Sequence, residues 1–244
     1  MSKEQYDLVI LGGGTAGYVA AIRATQLGKK VAIVENSLLG GTCLHKGCIP
    51  TKALLKSAEV MRTINHASDF GVDVDSFKLN YEKIQERKQE IVSQMHNGVS
   101  QLMKYNEIAV FNGNGRILGP SLFSPQSGTI SVEYEDGESE LIPNSNVLIA
   151  TGSEPLSLPF LPFDHQVVLS SDDMLNLQNL PQNLAIIGAG VIGLEFASMM
   201  TDFGVDVTVI EAGERIAPTE SKTVAKTLKQ DLETRGVTFH EKVQ

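Results

Sequence analysis

The stretch YDLVILGGGTAGYVAAIRATQLGKKVAIVEN, Tyr6 to Asn36, decides the fold. It opens on a short apolar run, Leu8 to Leu11, that reads as a buried parallel strand. Gly12, Gly14 and Gly17 then form G-x-G-x-x-G, a helical stretch runs on to Gly28, and a β-branched strand ends in Glu35. Each part has a physical reason. The first glycine permits a tight strand-to-helix turn, the second lets backbone approach a pyrophosphate, and the third lets helix and strand pack closely. The pyrophosphate rests on the helix N-terminus, where free N–H groups and the helix dipole favour an anion. The acid accepts hydrogen bonds from ribose hydroxyls.

The chain then repeats the pattern. NLAIIGAGVIGLEFASMMTDFGVDVTVIEAG, Asn183 to Gly213, carries Gly188, Gly190 and Gly193, a helix stop at Gly204 and a closing acid, Glu211. The interval from Gly12 to Glu35 equals that from Gly188 to Glu211, and the helix stops match as well. A lone glycine motif is weak evidence, but strand, turn, helix, strand and acid in order, twice, predict two bound dinucleotides. The fold class expected is α/β, with two Rossmann-like domains built of parallel sheet, helices and a β-meander, the second incomplete. Pro155, Pro159, Pro162 and Pro181 punctuate a linker-like region, so the expected domains are residues 1–152 and 153–244.

Composition narrows the partners. The 244 residues are 42% hydrophobic and 20% charged, an ordinary globular balance, and the net charge of −9 repels nucleic acid and anionic membrane. The N-terminal apolar run ends at Gly12 to Gly14, too early for a signal peptide. Leu184 to Met200 is interrupted by three glycines and Glu195, and is short for a bilayer span. A cytoplasmic protein is expected.

Between the repeats, Leu79 to Tyr105 has helical periodicity through Ile84, Ile91, Met95, Val99 and Leu102, with a solvated charged face and a possible break at Gly98. Ile108 to Phe111 reads as a strand, GNGRILGP as a turn-rich segment, Thr129 to Tyr134 and Glu138 to Ile142 as a hairpin, and Asn146 to Ala150 as a strand running into Thr151 and Gly152. Val237 to Val243 begins a further strand.

The two cysteines of the chain stand in GGTCLHKGCIPTK, Gly40 to Lys52. In a reducing compartment such a pair is redox-active or metal-binding more often than structural. A disulfide closing so short a loop stabilises little. A metal site on Cys43, His45 and Cys48 lacks a fourth neighbour. Five residues of straight helix advance about 7.5 Å, and a disulfide needs Cα atoms closer than about 7 Å. A bonded pair therefore demands a distorted turn, with a helix starting near Pro50 and continuing through Arg62.

GGTCLHKGCIPTK, with YDLVILGGGTAG, GNGR, LIATGS and IIGAGVIGLEFA in order, closely resembles the flavin-dependent pyridine nucleotide–disulfide oxidoreductases, and within them the branch that oxidises dihydrolipoamide. The resemblance implies that the first dinucleotide is FAD and the second NAD. Gly12, Gly14, Thr15, Ala16 and Gly17 would hold the FAD pyrophosphate, with Glu35 and Asn36 at its ribose. Gly41 and Thr42 would line the flavin side, Gly115 the adenine side, and Thr151 and Gly152 would approach from the returning strand. Gly188, Gly190, Ile192, Gly193 and Glu211 would hold NAD.

By the same resemblance, Cys43 and Cys48 form the redox-active disulfide. Cys43 would be the interchange thiol attacked by dihydrolipoamide, and Cys48 would face the flavin, its thiolate favoured by a helix N-terminus. Lys52 would stand by the flavin and pair with Glu195, which is otherwise an odd charge in an apolar helix. His45 and Lys46 depart from the asparagine and small apolar residue often found there, which implies local tuning. The family's catalytic base is a C-terminal histidine of a partner subunit. A homodimer, the lipoyl domain of an acyltransferase and a 2-oxo acid dehydrogenase complex are the implied partners.

Glu211 favours NAD, because a 2′-phosphate beside it meets like-charge repulsion of about 1 to 4 kcal/mol. Arg215 could in principle meet such a phosphate, although a surface arginine is the plainer expectation. The family's proteins continue for a similar length again, so this chain is expected to lack a C-terminal half and much of the turnover. The rivals are an NADPH-dependent glutathione or mercuric-type reductase, which Glu211 opposes, and a non-catalytic FAD-binding fragment.

Overall fold

The computed structural model of the chain describes residues 5–119 and 128–243. Pro120, the end of the GNGRILGP segment, lies outside them. In chain order the elements are β1 (Tyr6–Leu11), α1 (Thr15–Gln26), β2 (Val31–Glu35), α2 (Gly41–His45), α3 (Cys48–Asn65), α4 (Tyr81–Tyr105), β3 (Ala109–Asn112), β4 (Asn114–Ile117), β5 (Ile130–Glu133), β6 (Ser139–Ile142), β7 (Asn144–Ile149), α5 (Ser171–Met174), β8 (Asn183–Ile187), α6 (Val191–Asp202), β9 (Asp206–Glu211), α7 (Lys222–Thr234) and β10 (Thr238–Glu241). They gather into two compact units, Met1–Ile49 with Glu90–Leu156, and Pro50–Gln89 with Ser157–Gln244. Residues 50–89 thus cluster with the later part of the chain.

In the first unit a parallel sheet runs in the order β3-β2-β1-β7. Alternation along β1 and β2 sends side chains to opposite faces. Ile10, Val31 and Ile33 join Ala21 of α1 and Val92, Val99 and Met103 of α4 in one core. Val9, Leu11, Ala32 and Val34 join Ile130, Val132 and Ile142 of the antiparallel β4-β5-β6 meander in another. Both faces of the sheet are therefore covered, which is why Leu8–Leu11 and Val31–Val34 read as unbroken apolar runs. Each of the valine, leucine, isoleucine and methionine side chains among these contributes about 1.5 to 3 kcal/mol by leaving water.

The second unit repeats the motif with a parallel sheet in the order β10-β9-β8. Its core joins Leu54 and Ala58 of α3, Phe196, Met199 and Met200 of α6, Val207 and Val209 of β9, and Leu232 of α7. Among the described residues, no helix is long and apolar enough to cross a membrane; Leu184 to Met200 divides into β8, a glycine turn and α6.

The structure corrects several local expectations. α3 begins at Cys48 rather than near Pro50, and α4 begins at Tyr81. Gly98 does not interrupt α4. It is exposed, with open space where a Cβ would stand, so it costs helix propensity only, while Val92, Val99 and Met103 anchor the helix on either side. The charged face of α4 is not uniformly solvated: Lys88 is 4% exposed and its Nζ donates to Leu175 O at 2.7 Å. Asn114–Ile117 within GNGRILGP forms strand β4 rather than turn, paired with β5, and a Cβ on Gly115 would lie 2.5 Å from Leu11 Cδ2. The linker-like proline region contains α5, closed by a capping box between Ser170 and Asp173.

Candidate functional sites in the two units

The two glycine turns are built alike. Gly12 and Gly188 take φ of 102° and 100°, open to glycine and strained for other residues. A Cβ on Gly17 would stand 1.8 Å from Gly12 O, and one on Gly193 would stand 2.2 Å from Gly188 O. The third glycine therefore lets each helix close on its own turn. Gly12 N donates to Val34 O at 2.8 Å, and Gly188 N to Ile210 O at 2.7 Å, tying turn to second strand in both units.

The closing acids do more than end their strands. Glu35 Oε2 accepts from Gly13 N at 2.6 Å, and its Oε1 from Ser37 N at 2.8 Å. Glu211 Oε2 accepts from Ala189 N at 2.7 Å, and its Oε1 from Gly213 N at 2.6 Å. Each carboxylate latches its glycine turn on one side and the turn after its strand on the other. Charge-assisted bonds this short hold the acid at the carboxyl end of the sheet, where ligands of such folds bind.

The helices behind the turns have no side-chain cap. Gly14 and Gly190 are the N-caps of α1 and α6, whereas Ser170 and Ser221 cap α5 and α7 through their hydroxyls. First-turn amides without an internal partner, in a cradle that a Cβ would fill, suit an anionic pyrophosphate. The residues present fit a dinucleotide in each unit. Thr15 and Ala16 open α1 exposed beside Gly14, and Ile192 is exposed in the first turn of α6.

An open cavity of about 810 Å³ lies where β2 and β3 end, lined among others by Asn36, Ser37, Asn112, Asn114 and Glu133. Asn36 Nδ2 donates across it to Asn114 Oδ1 at 3.0 Å. Gly12 packs against the returning strand so closely that a Cβ would be 2.2 Å from Ala150 O and 3.2 Å from Thr151 N. Thr151 and Gly152 follow there, both exposed. Gly14 and Gly40 form an isolated parallel bridge, and Gly41 sits so near that a Cβ would be 2.5 Å from Gly14 Cα. The first unit thus gathers Gly12, Gly14, Gly41, Thr151 and Glu35 around one turn.

Thr42 and Cys43 stand on the single turn α2, which ends at His45, and Cys48 opens α3. Lys46, at φ −135°, and Gly47 separate the helices, so no regular helix runs through both cysteines. Both are free thiols, Cys43 half-buried and Cys48 exposed. Burial pushes the Cys43 thiol up, and the adjoining Cys48 adds to the rise, while a hydrogen bond with Thr15 opposes it. The Thr15 contact is not legible in residue spacing, which does not aim α1 at α2.

In the second unit Lys52 Nζ stands 3.9 Å from Glu195 Oε1. Their side chains are 68% and 32% exposed, so the pair orients charge more than it stabilises. Arg215 is not free for a phosphate: it donates to Ala217 O at 2.9 Å and to Pro218 O and Glu220 O at 2.8 Å. The same unit has a cavity of about 270 Å³ at the far end of α6, lined in part by Arg62, His66, Asp202 and Arg235. There Asp202 already pairs with Arg62 at 3.0 Å and Arg235 at 2.8 Å, a structural cluster that spacing alone could not reveal.

Comparison with known proteins fits this geometry. The family model described as pyridine nucleotide-disulphide oxidoreductase matches residues 6–244. Two proteins of Bacillus subtilis (strain 168) named dihydrolipoyl dehydrogenase are 57% and 43% identical, each over 96% of this chain and 50% of their own length. The crystal structure of LpdA from Mycobacterium tuberculosis superposes with a TM-score of 0.86 at 26% identity, over 96% of this chain and 51% of its own. The HOCl-induced flavoprotein disulfide reductase RclA from Escherichia coli, in a Cu(II) complex, superposes at 0.81 with 28% identity, over 99% and 50%. This chain spans about half the length of the curated relatives it matches. With paired glycine turns, a dithiol on the segment after the first of them, and a family match running from Tyr6 to the end, the chain belongs to the pyridine nucleotide–disulphide oxidoreductases.

Proposed function

We propose that this chain is the dinucleotide-binding portion of a flavoprotein that oxidises dihydrolipoamide and passes the electrons to NAD⁺. The observation that carries this reading is the Cys43 and Cys48 dithiol on the segment bridged to the first glycine turn. The names of relatives 57% and 43% identical support the substrate class. FAD would lie on the turn of residues 1–152 and NAD on that of residues 153–244. Bound FAD would supply the two-electron link between dithiol and nicotinamide.

The chain's own residues do the rest. In the oxidised pair, a thiolate of dihydrolipoamide attacks Cys43 sulfur and Cys48 leaves as a thiolate. The second substrate thiol then displaces Cys43, releasing cyclic lipoamide and the two free thiols. Two electrons and two protons have moved from substrate to protein. Cys48 is the first residue of α3. Lys52, paired with Glu195, would supply a cation to bound flavin. Glu35 and Glu211 hold the two turns in shape for the ribose and pyrophosphate groups.

NAD rather than NADP is the partner of the second turn. Glu211 repels a 2′-phosphate, and Arg215 is spent on backbone carbonyls. A lipoyl domain of an acyltransferase would deliver the substrate, within a 2-oxo acid dehydrogenase complex in the cytoplasm, to a homodimer. The test is anaerobic mixing of the FAD-loaded chain with dihydrolipoamide. Loss of flavin absorbance that disappears with Cys43→Ser supports the reading, and loss unaffected by that substitution refutes it.

A further inference from the structure

We infer that His45 and His96 act together as a brace that sets the reach between Cys43 and Cys48. The inference rests on the reading of those cysteines as a redox pair. α2, which carries Cys43, is a single turn of five residues with no side-chain cap on Gly40. So short a helix has no stability of its own and depends on tertiary contacts.

Two imidazoles supply one of those contacts. His45 Nε2 lies 2.9 Å from Leu39 O, and His96 Nδ1 lies 3.0 Å from the same oxygen. A carbonyl oxygen only accepts and has two lone pairs, so both nitrogens carry hydrogen, and as neutral imidazoles the two rings hold opposite tautomers. The ring centroids are 5.3 Å apart, tilted by 59°. His45 is the last residue of α2 and Leu39 precedes its N-cap, so this bond closes the turn on itself. His96 belongs to α4, where Val92 and Val99 are buried, and it fixes the closed turn to that helix.

Cys43 sits inside the closed turn and Cys48 just beyond it, after Lys46 and Gly47. His45 and His96 are thus positioning residues: their ring nitrogens bond Leu39 O, and they hold the segment that presents Cys43. Releasing the turn lets Cys43 wander and lowers the effective concentration of one thiol at the other. The disulfide then becomes harder to form.

The test is the equilibrium of the chain with glutathione. Oxidised glutathione takes two electrons and two protons from Cys43 and Cys48, giving their disulfide and two reduced glutathiones. The extent is read by alkylating the remaining thiols and weighing the protein. His45→Leu and His96→Leu should each lower the constant for disulfide formation by about tenfold or more. His96→Asn, whose amide nitrogen can stand where Nδ1 stood, should stay within about threefold of the unaltered chain. Nitrogen-15 NMR of the unaltered chain at alkaline pH should place hydrogen on His45 Nε2 and His96 Nδ1, and this reading does not depend on the variants folding. Unchanged constants in folded leucine variants, or hydrogen on His96 Nε2, would overturn the brace while leaving the redox pair standing. If the unaltered chain forms no internal disulfide in any glutathione mixture, the redox reading fails and the brace falls with it.

Discussion

Glu211 holds the amide of Ala189 at 2.7 Å across 22 residues of sequence, and at the same interval Glu35 holds the amide of Gly13 at 2.6 Å. The acid of each repeat therefore belongs to the architecture of its turn before any nucleotide arrives. Replacing Glu211 by Ala frees the amides of Ala189 and Gly213. The expected loss is about 1.5 to 3 kcal/mol of stability, the range for bonds to a charged acceptor. Urea denaturation of the variant measures it, and an unchanged midpoint would show the latch to be incidental.

Under the proposed function the same carboxylate would set cofactor choice. Titration of the chain with each nucleotide should show NAD binding at least about tenfold tighter than NADP, the lower part of the range that like-charge contact allows. Glu211→Ser should narrow that gap. Arg215 is not expected to close it, since it already donates to Ala217 O, Pro218 O and Glu220 O. Equal affinity for both nucleotides in the unaltered chain would contradict the assignment.

Two glycine substitutions should have opposite signs. Gly17→Ala drives a methyl group into Gly12 O and should cost about 1 to 3 kcal/mol or more. Gly98→Ala fills open space on an exposed helical face and should add about 0.5 to 1 kcal/mol. Thermal unfolding of both variants distinguishes close approach from tolerated glycine.

Lys88 predicts an alkaline signature. Its Nζ is buried and donates to Leu175 O at 2.7 Å and Asn176 Oδ1 at 3.2 Å, with burial lowering its pKa from 10.5. The unfolded chain then binds more protons than the folded one as pH approaches that value. Stability contributed at this position should rise as pH climbs through the folded pKa and level off above 10.5. Lys88→Met should remove that rise, as comparison of urea midpoints at several alkaline pH values would show.

Cys43 should titrate late. Burial, then the neighbouring Cys48, raise its thiol above the ordinary value of 9.0. Alkylation at Cys43 in the reduced chain, followed by peptide mass, should still be accelerating beyond that pH. A plateau below it would mean that the thiol is not held back as the geometry requires.

Much of this was legible in the sequence because the information is local. The two turns follow from glycines, apolar runs and acids within about thirty residues, and β1, β2, β8 and β9 stand where those runs place them. The break between Cys43 and Cys48 followed from the geometry a disulfide demands. What the sequence did not show depends on partners distant in the chain. Lys88 reads as one more charge on a solvated face until Leu175 O, 87 residues away, is seen above it. His45 reads as surface tuning until His96 is found on the same carbonyl. Gly115 reads as a turn until Leu11 and Val34 fill the space its side chain would need.

The most direct test of the central claim is the flavin absorbance of the FAD-loaded chain during anaerobic addition of dihydrolipoamide, for the unaltered chain and for Cys48→Ser. FAD should bind saturably to both, with bleaching by dihydrolipoamide only where Cys48 is intact. Equal bleaching in the two proteins, or bleaching in neither, would contradict the assignment of Cys43 and Cys48 as the path from dihydrolipoamide to the flavin.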